Sequence, residues 1–113
     1  MVERFPARVP TRSRAVATDA LAFTVGVAAD KVPSVYEQTK QALARINASL
    51  TEAGSDASRI LTATVYLADM TEKEEMNRAW DEWVDRNNPP MRVCIGAALE
   101  GKDLVEVVVI AER

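Results

Sequence analysis

The chain has 113 residues, a length that suits one domain, and 48% of them are apolar, enough for a real core and too many for a disordered segment. A net charge of −3 argues against wholesale binding to nucleic acid or an anionic membrane, which calls for a basic surface. There is no histidine, and Cys94 is the only cysteine; this excludes the usual Ser-His and Cys-His nucleophile pairs, an internal disulfide and a cysteine-built zinc site.

Residues 1–15 hold Pro6, Pro10 and four arginines, Arg4, Arg8, Arg12 and Arg14, and read as an extended arm or edge strand. Its arginines are either solvated or, for Arg12 and Arg14, placed to attract an anionic ligand. The opening MVERFPARVP lacks the apolar middle of a secretory signal. No apolar run approaches the roughly 18 residues of a membrane span. A cytoplasmic location without a membrane partner is expected.

Ala15 to Ala28 reads as two strands with a turn at Thr18-Asp19-Ala20, and Gly26 marks a bulge or a close backbone approach. Lys31 to Gly54 is the clearest helix. Pro33 suits its first turn, Gly54 its stop, and Val35, Tyr36, Thr39, Leu43, Ile46, Leu50 and Ala53 share a face. Ile60 to Leu67 is a β-branched strand with Leu61, Ala63, Val65 and Leu67 on its apolar side. Thr71 and Glu74 fit a capping box for a second helix striped by Met76, Ala79, Trp80, Trp83 and Val84. Asn87 to Pro90 ends it. Two strands follow, Arg92–Leu99 and Leu104–Ala111, around the turn Glu100 to Asp103.

The order β-β-α-β-α-β-β implies one α/β domain over 1–113, a single mixed sheet with two helices on one face. The last strand is apolar on both sides: Val105, Val107, Val109 and Ala111 point one way, Leu104, Val108 and Ile110 the other. Two helices cover only one face, and an apolar patch left bare is an aggregation liability. The second face is therefore expected to oligomerise, with Glu106 toward a subunit boundary. Each apolar strand also carries one charge, Arg92 or Glu106. Burying either alone costs several kcal/mol, so each needs a partner: a ligand, an ordered water, another side chain (for Glu106, Lys102 or an edge lysine), or the other of the two.

EQTKQALARINASLTEAGSDASRILTATVYLADM, then MNRAWDEWV, and above all PPMRVCIGAAL with LVEVVVIA, resemble the RidA/YjgF family (reactive intermediate deaminase, endoribonuclease L-PSP-like) from about Ala15 to Ala111. The resemblance implies a chorismate-mutase-like fold, a homotrimer with ligand clefts between subunits, and hydrolysis of 2-imino and enamine acids of the 2-aminoacrylate type to 2-keto acids and ammonia. It implies a carboxylate clamp at Arg92, a water-positioning glutamate at Glu106, a cleft-lining Cys94 and a nearby Asn77. No metal or organic cofactor is required. Arg14, in the arm, is a further substrate-binding candidate.

This chain departs from the family at two points. The family serine is Val25, and the upstream tyrosine is replaced by the basic segment Arg12-Ser13-Arg14. Those losses leave open a non-catalytic trimer that binds small carboxylates. Ribonuclease activity is disfavoured by the missing histidine and the acidic balance.

Overall fold

The structure, a computed structural model, describes residues 1–113. Six strands form one sheet: β1 (Glu3–Pro6), β2 (Ser13–Ala17), β3 (Leu21–Val27), β4 (Ile60–Leu67), β5 (Met91–Gly96) and β6 (Val105–Glu112). Their spatial order is β1-β2-β3-β6-β4-β5. All pairs are antiparallel except β4 with β5. The N-terminal arm thus supplies a true edge strand, β1, so the order gains a sixth strand. β5 and β6 do not form a hairpin, because β4 lies between them and residues 97–104 cross over it.

Two helices, α1 (Val35–Glu52) and α2 (Lys73–Trp83), cover one face. Leu43, Ile46 and Leu50 of α1 are buried against Val107, Val109 and Ala111 of β6 and Ala63 and Val65 of β4. Each large side chain contributes about 1.5–3 kcal/mol by leaving water. The smallest principal extent is 19 Å. A helix with its side chains takes about 10–12 Å, so there is room for one sheet and one helix layer and nothing beyond. The other sheet face is bare. It presents Phe23, Val108, Val93 and Ile95 at 37, 36, 45 and 41% exposure.

Four local expectations change. Helix α1 begins later than Lys31, because Ser34 is its cap: the side chain accepts a hydrogen bond from the Glu37 amide at 3.1 Å. The Thr71–Glu74 capping box does not form. Asp69 instead accepts from the Thr71 amide and hydroxyl at 2.9 and 2.7 Å, capping a short 3-10 turn, Met70–Glu72, ahead of α2. Leu61 is 47% exposed instead of lining the apolar face. The register skips it between Ile60 and Thr62, so Ile60 turns inward in its place. β5 ends at Gly96 and not at Leu99.

Gly26 makes the close approach. A Cβ there would lie 2.6 Å from the Ala42 carbonyl oxygen and 3.1 Å from Ile46. Its hydrogen atom lets α1 sit directly on β3.

Candidate functional site

Arg92 pairs in register with Ala63 of β4, whose side chain is buried under the helices. Arg92 therefore faces the helix layer. Its Nη1 lies 3.6 Å from the Met76 sulfur, and its guanidinium carbon is 5.2 Å from the centre of the Trp80 ring. Met76 and Trp80 are one turn apart on α2, so the helix period builds this cradle. The Trp80 and Trp83 rings pack tilted at 56° with their centres 5.3 Å apart and stiffen its wall. The side chain is half-buried, yet no carboxylate lies within ion-pairing distance. A thioether and a ring face soften the desolvation of a guanidinium without neutralising it.

Cys94 stands two residues along β5 on the same side, half-buried, with its sulfur 4.0 Å from that of Met70. Asn77 follows Met76 on α2. Its amide nitrogen reaches Glu74 at 3.5 Å, while its Oδ1 is buried without a hydrogen-bond partner. That orphan acceptor is suited to a donor brought by a ligand.

Glu106 lies elsewhere. It pairs with Val27 on one side and Tyr66 on the other, and all three belong to the bare face. It is half-buried and makes no hydrogen bond or ion pair, with Lys102 or with Arg92. The mutual pairing of Arg92 and Glu106 within one chain is excluded by their opposite faces. Val25 is also on the bare face, two residues from Val27 and opposite Val108.

Arg14 does not join either group. The β1–β2 register skips it, and the bulge turns its side chain toward α1. There it donates to Ser49 Oγ and the Pro6 carbonyl, both at 3.1 Å, and pairs with Glu52. Within the chain its charge pins the arm to the helix.

Sequence reasoning missed Met76 and Trp80 as the seat of Arg92, although their i, i+4 spacing opposite an arginine-bearing strand was the available signal. It also missed Gln38, fully buried in α1. Its amide donates to the Val32 and Lys102 carbonyls at 2.8 and 3.1 Å and accepts from the Leu104 amide at 2.9 Å. With the Lys31–Asp103 ion pair, it ties the loop before α1 to the loop that launches β6 and Glu106. No group of three or more Cys, Asp or Glu side chains is placed to hold a metal ion, and no helix is long and apolar enough to cross a membrane.

Comparison with known proteins agrees with this architecture. The family model described as endoribonuclease L-PSP matches residues 4–113. A RutC family protein of Haemophilus ducreyi is 48% identical over 90 residues, which is 79% of this chain and 77% of that protein. The RutC family protein YoaB of Escherichia coli is 39% identical over 90 residues, 79% of each. A crystal structure of a YjgF family member from Neisseria meningitidis superposes with a TM-score of 0.94 at 35% identity, covering 100% of this chain and 95% of that one.

Proposed function

We propose a hydrolytic function for this chain, which belongs to the endoribonuclease L-PSP family that includes the RutC and YjgF proteins: it deaminates small 2-imino acids and their enamine tautomers to 2-keto acids and ammonia. The observation that carries this reading is the half-buried, acid-free guanidinium of Arg92. Its planar fork suits a carboxylate held through two parallel hydrogen bonds. The carboxylate would fix the C=N group that it neighbours.

Glu106 supplies the second function. Being on the opposite face, it serves the Arg92 cleft of another subunit, in a homotrimer closed through the bare faces. The carboxylate orients a water and takes one of its protons as the oxygen adds to the imine carbon. The carboxylate passes that proton to the nitrogen, the added hydroxyl gives up the second, the C–N bond breaks as the C=O forms, and ammonia leaves. Asn77 Oδ1 and the Cys94 edge complete the wall.

One observation favours a second reading, a binding module without catalysis. Val25 puts methyl groups on Glu106's face where the family serine would offer a hydroxyl to water or substrate. Generating 2-iminopropanoate or 2-iminobutanoate in situ with an amino-acid oxidase, and trapping the residual imine, separates the two. Faster imine loss with the protein, abolished in Arg92→Ala, supports the deaminase. Unaltered imine loss with keto-acid binding still measurable sinks it and leaves the binding module.

A further inference from the structure

The N-terminal arm carries positive charge that the deaminase reading does not use. Arg4, Arg8 and Arg12 stand in an acidic chain, and none of the three has an acidic partner. Only Arg14 is neutralised, through Glu52. The free cations are not evenly spread. Arg4 and Arg12 line one cleft of about 480 Å³ together with Pro6, Pro10, Thr11 and Ser13, whereas Arg8 is not part of its wall. Clefts of this volume suit a small metabolite.

The local chain explains the shape. Arg4 pairs with Val16, so it projects from the bare side of β1 while its neighbour Phe5 packs against the core. The β1–β2 loop then returns Arg12 to the lining of the same cleft. Pro6 and Pro10 restrict the loop backbone, which lowers the cost of holding the two guanidiniums in place. Arg14 shapes the wall from behind by gripping the Pro6 carbonyl. Thr11 and Ser13 also belong to the cleft's lining.

We propose that this cleft binds a small dianion, a phosphoryl group or a dicarboxylate, through Arg4 and Arg12. Two guanidiniums without acids match two negative charges, and each offers forked donors to oxygen. The site is separate from Arg92 within a chain, because β1 and β5 are the two opposite edges of the sheet. It goes beyond the deaminase reading and does not depend on it.

Titration of the full chain with inorganic phosphate, and separately with succinate, at fixed ionic strength tests this by amide chemical shifts. Saturable shifts centred on residues 4–13 are expected. Arg4→Ala and Arg12→Ala should each weaken binding about tenfold or more, the loss of a charge-assisted hydrogen bond. Arg8→Ala, outside the cleft, should stay within about twofold, as for a screened surface charge. Arg4→Lys and Arg12→Lys keep charge and fold and should fall between. Preference for phosphate or for succinate tells which dianion the cleft takes. No saturable shift with either probe, or equal weakening in Arg8→Ala, overturns the proposal. So does a change in assembly size in Arg4→Ala or Arg12→Ala with anion affinity intact, since the charges would then serve a contact between chains.

Discussion

Arg92 and Glu106 point to opposite faces of the sheet. Arg92 shares its row with Ala63 under the helices, and Glu106 shares its row with Tyr66 on the bare face. They are also two strands and three rows apart, roughly 14 Å between Cα atoms at ordinary strand spacings. A ligand of a few carbon atoms cannot touch both side chains of one chain. Any cleft that uses the pair must take one from each of two copies.

Complementation between subunits follows. Arg92→Ala and Glu106→Gln should each lower imine hydrolysis by about 100-fold or more, within the usual range for an acid–base or clamp residue. Unfolding the two variants together and refolding them as a mixture should restore activity to about one quarter of wild type, because each mixed ring of three contains one boundary with both native residues. Activity no higher than the separate variants would show that the two residues do not share a cleft between chains.

The bare face should hold the assembly together. Phe23 and Val108 are 37 and 36% exposed, and Val108 lies opposite Val25. Val108→Lys or Phe23→Asp would place a desolvated charge in the contact, at a cost of several kcal/mol. Light scattering should then report a monomer while circular dichroism stays native. An unaltered mass for both variants would place the contact elsewhere.

Gly26 should tolerate no side chain. A methyl group 2.6 Å from the Ala42 carbonyl oxygen forces α1 off β3. Gly26→Ala should cost about 1–3 kcal/mol, the usual penalty for overpacking. Urea unfolding measures it, and a midpoint equal to wild type would contradict the observed contact.

Gln38→Leu should destabilise by about 1–3 kcal/mol and loosen the approach to Glu106, because the half-buried Leu104 amide loses its acceptor. Hydrogen exchange at Leu104 should accelerate more than at Val109, which keeps its ladder partners. Uniform exchange across β6 would mean that Gln38 does not anchor this loop in particular.

Acid should release the entry to α2. The Asp69 carboxyl is held below the ordinary aspartate range, chiefly by the hydrogen bond from the Thr71 side chain and then by that from its amide. A depressed folded-state value stabilises the fold above the unfolded aspartate pKa, and the contribution disappears as pH falls through the folded one. Carboxyl-carbon NMR should place the Asp69 midpoint below the ordinary aspartate value. Thr71→Ala should move it upward. An unmoved midpoint would remove this hydrogen bond as the cause.

Much of the site was legible because charge stands out in apolar strands. Arg92 and Glu106 were conspicuous, and so was the uncovered face implied by Val108 and Ile110. Leu61 was misread because the register breaks beside it. Strand parity predicts a side chain's face only while the register is unbroken, and one extra residue inverts it.

By itself the sequence determined five strands, an extended N-terminal arm, two helices, the surplus of apolar surface and the two charges set in apolar strands, since those follow from local periodicity and composition. Only the tertiary structure decided that β4 separates β5 from β6, that Arg14 is spent on Glu52, and that Arg92 and Glu106 look away from each other. Strand order and bulges are settled by contacts between residues far apart in the chain, and local pattern carries no record of them.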